Sequence, residues 1–189
     1  SVIWSPRSNV SLYGNTAQVP MYATQHVNVG MGTDWTASGS INMVRELACA
    51  AFLNDFYYGK FFTDREIWLM ATWNNALALK LSSAIGAIEV GMLADIAVFK
   101  AYSGKDYYRN VIDASPSDSI LVLRKGLPLY GDKDLMANMP NGQTSCEEIP
   151  GGVCGEAKTV CVLRETGYTF DALKTANSTA YGLFYCTDK

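Results

Sequence analysis

The spacing of apolar and polar residues changes character twice along this chain. Up to about Ser83, short β-prone runs alternate with helical spacing. Val2-Ile3-Trp4 reads as a strand that Ser5-Pro6 stops, because proline cannot donate to a ladder and holds its predecessor extended. Val10 to Tyr13 run on to a turn at Gly14-Asn15. Thr16 to Gln25 places Val19, Tyr22 and Ala23 on one helical face, with Pro20 in the first turn or at a break. Val27 to Met31 is a second strand. Two strands joined by a helical crossover should lie parallel. From Ser40 to about Leu53 the spacing of Met43, Leu47, Ala50 and Ala51 predicts a helix with Arg45 and Glu46 facing out. Thr63-Asp64-Arg65-Glu66 is a capping box. The helix it opens runs to about Leu81, with Ile67, Met70, Ala71, Asn74, Leu77 and Ala78 on one stripe.

Beyond Ser83 the pattern turns to strands. Residues 84–99 are turn-rich and then strand-like. Tyr107 to Ile112, Ile120 to Arg124 and Leu127 to Tyr130 read as further strands, with Lys125-Gly126 as a tight hairpin. After Gly131 come Gly- and Pro-bearing loops, a strand from Lys158 to Leu163 and a short helix from Phe170 to Ala176. These shifts predict three parts: 1–83, 84–132 and 133–189.

Composition narrows the partners. A net charge of −3 with no basic run argues against nucleic acid. No apolar stretch is long enough to span a bilayer. The N-terminus does not resemble a signal peptide and has no initiator methionine, so the chain reads as the remainder of something longer. Cys49 stands alone in a helical pattern and reads as a buried structural thiol. Cys146, Cys154, Cys161 and Cys186 lack the spacing of a zinc site and predict two disulfides in one of three pairings. That implies a periplasmic or extracellular location.

Candidate chemistry is sparse. The single histidine, His26, precedes the second strand and lies at the end away from Asp34. Asp34 follows that strand through Gly32-Thr33, on the side where βα loops carry catalytic groups in parallel α/β proteins; equally, it suits a turn. Gly30-Met31-Gly32 is too little for a dinucleotide loop. The aromatics Phe56, Tyr57, Tyr58, Phe61 and Phe62 could line a pocket, but packing beneath a loop is the better reading.

Three stretches together resemble the C-terminal portion of the amidohydrolase superfamily, metal-dependent hydrolases on a (β/α)8 barrel. Residues 4–14 (Trp-Ser-Pro-Arg-Ser-Asn-Val-Ser-Leu-Tyr-Gly) look like the seventh strand and its Ser-Asn loop. Residues 29–39 (Val-Gly-Met-Gly-Thr-Asp-Trp-Thr-Ala-Ser-Gly) look like the eighth strand with its aspartate. Residues 71–76 with 85–99, followed by 120–132, look like the return into a flanking β-sandwich and its closing hairpin. The cysteine-bearing stretch resembles only the extension of exported members.

The resemblance implies an α/β fold: the C-terminal strands of a TIM-type barrel, part of a β-sandwich and a disulfide-stapled tail, incomplete as a barrel on its own. It implies that Asp34 ligates a divalent metal, usually zinc, shared with residues outside this chain, and shuttles a proton from the attacking water. Ser8, Asn9, Tyr13, Trp35 and Thr36 become candidates for substrate binding, and Asp95 for a structural role. The family's histidine ligands and six barrel strands are absent here. The N-terminal part of the same enzyme is therefore the expected partner, as a separate chain or the rest of a longer one. A small-molecule substrate with a hydrolysable C–N bond is expected, and a homo-oligomer is compatible. The alternative is a catalytically inactive relative serving as a binding or structural subunit. Asn9-Val10-Ser11 and Asn177-Ser178-Thr179 match the N-glycosylation pattern.

Overall fold

Strand β1 (Val2–Trp4) leads straight into helix α1 (Pro6–Tyr13) in the computed structural model, which describes residues 1–140, 146–177 and 186. Pro6 therefore begins a helix as well as ending a strand. It sits in the first turn, where its missing N–H would have had no intrahelical partner. The run at Val10–Tyr13, read as continuing to the turn, is the last turn of this helix. Gly14, at φ 64°, ends it by donating its N–H to the Val10 carbonyl.

Helix α2 (Val19–Thr24) and strand β2 (Val29–Met31) are shorter than their patterns suggested. Pro20 lies in the first turn of α2. The two strands pair in parallel, Val2 opposite Val29 and Trp4 opposite Met31. Helix α3 (Met43–Phe56) is capped by Asn42, whose side chain accepts the Arg45 N–H at 2.9 Å. Its inner face carries Leu47, Ala50 and Ala51, and also Glu46. Glu46 had been read as facing out, yet it is wholly buried. It stands three residues after Met43 and four before Ala50, so the helical period puts it on the inner face despite its charge.

The capping box forms as read: the Thr63 hydroxyl accepts the Glu66 N–H, and the Glu66 carboxylate accepts the Thr63 N–H. The helix it opens does not run unbroken to Leu81. It stops as α4 (Asp64–Ala71), bends at Thr72, and resumes as α5 (Trp73–Ala78). Asn74 and Asn75 on α5 bond β2. The Asn75 amide accepts the Met31 N–H at 3.0 Å and donates to the Met31 carbonyl at 2.8 Å, and Asn74 donates to the Val29 carbonyl at 2.9 Å. Val2 bonds Asn28 and Gly32 bonds Trp4 across the strand pair, so by alternation Val29 and Met31 present their main-chain groups to the other edge. The two asparagines satisfy that edge.

Tyr107 to Ile112, read as a strand, is helix α6. Asp106 caps it by accepting the Tyr108 N–H at 2.9 Å, and Arg109 forks onto Asp64. Local capping and packing override the β preference of its residues, a preference that depends on context. The core of this unit joins Trp4, Val19, Val29, Met31, Leu47, Ala50, Phe62, Ile67, Met70 and Ile112.

Strands β3 (Ile96–Phe99), β4 (Ser119–Arg124), β5 (Leu127–Asp132), β6 (Glu147–Glu148) and β7 (Lys158–Val160) form an antiparallel sheet in the order β3-β4-β5-β7-β6. Lys125 and Gly126, at φ 52° and 78°, make the two-residue hairpin. Asp95 accepts the Lys125 N–H at 2.7 Å, the structural role expected of it. Helix α7 (Lys133–Asn138) follows β5. The strand read at Lys158–Leu163 ends at Val160. The chain leaves the sheet at Cys161 and forms α8 (Val162–Thr166), and then α9 (Phe170–Ala176) as predicted. Cys146 pairs with Cys161 and Cys154 with Cys186.

Two compact units result: Ser1–Met92 with Ala101–Asp113, and Leu93–Lys100 with the described residues from Ala114 onward. The divisions at 83 and 132 fall elsewhere than predicted, because β6 and β7 extend the second unit's sheet instead of standing apart. Among the described residues no helix is long and apolar enough to cross a membrane.

Candidate active site

Strand β2 is buried along its whole length and delivers its chain to the Gly32–Ser40 loop. Gly32 passes close to β1: a Cβ there would lie 2.9 Å from the Ile3 side chain. The loop then closes on itself. Ser40 N–H donates to the Thr33 carbonyl at 3.0 Å, and the Gly39 and Ser38 N–H groups donate to the Trp35 carbonyl at 2.6 and 3.1 Å. Gly39 cannot be replaced without movement, since a Cβ would collide with the Thr33 carbonyl oxygen. This closure sets Asp34 in a left-handed conformation at φ 55°, one that aspartate tolerates better than most residues.

Two donors hold the Asp34 carboxylate. Ser8 Oγ donates to Oδ2 at 2.6 Å, and the Trp35 N–H donates to Oδ1 at 2.7 Å. The Ser8 bond and then the Trp35 amide draw its pKa below the usual carboxylate value and outweigh the small effect of burial. Asp34 is exposed. An oriented, anionic, accessible carboxylate has the chemistry of a ligand for a hard or borderline divalent cation. Each oxygen retains a lone pair beyond the hydrogen bond it accepts. Among the described residues no group of three or more His, Cys, Asp or Glu side chains could hold a metal. Asp34 therefore fits as one ligand and not as a complete site.

The other predicted residues divide. Ser8, in the first turn of α1 and buried, is brought onto Asp34. Asn9 is half-buried, and its side chain accepts the Ala17 N–H at 3.4 Å. Tyr13 is exposed at the far end of α1, five residues or about 7.5 Å along the axis from Ser8. Trp35 contributes its main chain to Asp34, and the residue is 66% exposed. Thr36 is exposed on the same loop.

Four residues escaped the sequence reading. Ser38 Oγ lies 3.1 Å from Ser8 Oγ. Arg7 Nε donates to Ser40 Oγ at 3.2 Å, and the Arg7 N–H donates to Glu46 Oε1 at 2.9 Å. Only Glu46 had a signal in the sequence, its place on the buried stripe of α3.

Away from Asp34, a cleft of about 470 Å³ is lined by Arg7, Cys49, Phe52, Phe56, Arg109 and Asp113, among others. Cys49, expected to be buried, is half-buried there; desolvation pushes its thiol pKa up. The aromatic group splits: Phe62 is in the core, Tyr58 packs on Trp4 with ring centroids 5.8 Å apart, and Phe56 is exposed at the cleft. Both glycosylation patterns have their asparagine described. Asn9 lies inside α1, and Asn177 follows α9; Ser178 and Thr179 lie outside the described residues.

Comparison with known proteins places this arrangement. The Amidohydrolase family model matches residues 2–128. A 5-methylthioadenosine/S-adenosylhomocysteine deaminase of Clostridium tetani is 35% identical over 101 residues, covering 52% of this chain and 24% of the relative. The crystal structure of an adenosine deaminase from Xanthomonas campestris with bound zinc superposes with a TM-score of 0.62 at 26% identity, over 67% of this chain and 31% of that one. Atrazine chlorohydrolase from Arthrobacter aurescens TC1, complexed with zinc, gives 0.55 at 26% identity, over 68% and 30%. The chain thus spans about a quarter to a third of the length of the proteins it matches. With two thirds of its residues under the family model, this chain belongs to the amidohydrolase family.

Proposed function

We propose that this chain forms part of a metal-dependent hydrolytic deaminase, in which Asp34 is one metal ligand and the proton shuttle. The observation that carries the reading is the Asp34 carboxylate itself: just past the C-terminal end of β2, exposed, held by Ser8 and the Trp35 amide, and kept anionic. A bound divalent cation, zinc by analogy with the two zinc-bearing neighbours, would supply a water of lowered pKa. Asp34 would accept a proton from that water and return it to the departing amine. Overall, water and the ring amine become ring carbonyl and ammonia. Similarity to deaminases named for adenosine derivatives favours a purine nucleoside or a related amino-substituted ring as substrate. Trp35 and Thr36 are the exposed side chains nearest Asp34 in sequence and would face it.

The remaining metal ligands and barrel strands would come from outside this chain. Its share of the relatives' length supports this, as does β1, which among the described strands pairs with β2 alone. The two disulfides favour an oxidising compartment, periplasmic or extracellular. The test is metal analysis of the intact protein, with ammonia release from adenosine-type substrates. About one or more equivalents of divalent metal are expected, and Asp34→Ala should lower turnover by about 10²–10⁴-fold. An intact protein without metal would favour the inactive, binding or structural subunit instead.

A further inference from the structure

Glu46 is a wholly buried carboxylate that the proposed reaction leaves unused. Its position answers a deficiency in α1. The first helical N–H groups have no intrahelical partner and ordinarily need a cap. Here Ser5 makes no side-chain cap bond, Pro6 has no N–H, and the Arg7 N–H is met by Glu46 Oε1, thirty-nine residues away, at 2.9 Å. A carboxylate at a helix N-terminus is also favoured by the helix dipole. The next residue, Ser8, is the one that holds Asp34 Oδ2. Arg7 Nε reaches Ser40, which closes the Asp34 loop onto Thr33, and Ser38 of that loop meets Ser8.

The contacts thus converge from α3 through α1 on one carboxylate. The other Glu46 oxygen, Oε2, is buried without a well-formed hydrogen bond among the described residues, although the Ser40 hydroxyl is near enough to the carboxylate to lower its pKa. A buried acceptor left in this way is costly, so fold stability alone gives little reason for a carboxylate at this place.

We infer that Glu46 is a positioning residue for the metal site: by capping α1 in trans it sets Ser8 and hence the orientation of Asp34 as a ligand. The inference rests on the reading of Asp34 as a ligand, and the experiment separates the two. Zinc affinity of the intact protein is measured by competition with a chelator for wild type, Asp34→Ala, Glu46→Leu, Glu46→Met and Glu46→Gln, with thermal melting recorded for each.

Groups bonded directly to a metal ligand, as Ser8 is to Asp34, are typically worth about 10–100-fold in affinity, and Glu46, which acts through Ser8, is expected at the low end. The apolar variants should therefore bind zinc about 10-fold more weakly while still melting cooperatively, below wild type by no more than the loss of one helix cap explains. Gln, which keeps an acceptor for the Arg7 N–H, should restore affinity. Unchanged affinity in folded Glu46→Leu and Glu46→Met, beside a weakened Asp34→Ala, overturns the role of Glu46. Loss of fold in both apolar variants makes Glu46 a core structural residue and overturns it too. Unchanged affinity in Asp34→Ala overturns the ligand reading itself.

Discussion

Glu46 shows what one residue can contribute against its own solvation preference. Burial raises its pKa above the ordinary glutamate value; the Ser40 hydroxyl, the Arg7 amide and the charges of Arg7 and Arg45 lower it only in part. The folded state therefore binds the Glu46 proton more tightly than the unfolded chain does. Between the unfolded value of 4.5 and the raised folded value, the native state holds more protons, so stability falls as pH rises through that window. Glu46→Gln removes the dependence. Its melting temperature should exceed that of wild type at pH 7, and the difference should shrink toward pH 4.5, as differential scanning calorimetry across that range would register. An equal difference at both pH values would mean that the buried carboxyl does not titrate on unfolding.

At the level of elements, the asparagine pair on α5 meets the main-chain groups of β2 that β1 does not. Asn75 bonds both main-chain groups of Met31, and Gly30 is required beside it because a Cβ there would strike the Asn75 Oδ1. Asn75→Ala leaves the N–H and C=O of buried Met31 without these partners. It should cost about 1–3 kcal/mol in chemical denaturation. Asn74→Ala, which loses one donor to Val29, should cost less. Equal costs would mean that the second bond of Asn75 contributes nothing.

Across the whole molecule the two units are stabilised by different means. The first has a contiguous apolar core from Trp4 to Ile112. The second has a small cluster of Ile149, Val153, Val160 and Phe170, and relies on cross-links. It also buries Lys158, whose amine donates to the Ser117 and Ser119 carbonyls at 2.8 and 2.9 Å and pairs with Asp132. Closing a loop of the size spanned by Cys146 and Cys161, separated by 15 residues, is worth about 3 kcal/mol by restricting the unfolded chain. Reduction should therefore expose amides of β6 and β7 to hydrogen exchange while those of β2 and α3 keep their protection. Uniform loss of protection in both units would contradict this division.

Much of this was legible before any coordinates. The parallel β1 and β2, the capping box at Thr63 and the Lys125-Gly126 hairpin follow from local rules, because a cap, a turn or a strand period involves only neighbours in the chain; that four cysteines form two disulfides was legible too, but which pairs with which was not. Asp34 itself was found by its place after a strand and by its flanking residues. Other features were not local. Pro6 reads equally as the end of a strand or the start of a helix, and Glu46 in α1's cap decides how that turn is held. The break at Thr72 serves contacts with β2, more than forty residues earlier. Tyr107–Ile112 is β-prone by composition and helical because Asp106 caps it and Asp64 holds Arg109. The sequence by itself determined β1, β2, α3, the Thr63 cap, the Lys125-Gly126 hairpin and which carboxylate to suspect. Only the tertiary structure decided that Ser8 and the Trp35 amide hold Asp34 and that a buried glutamate stands behind them, because these partners are set by packing between segments far apart in the chain.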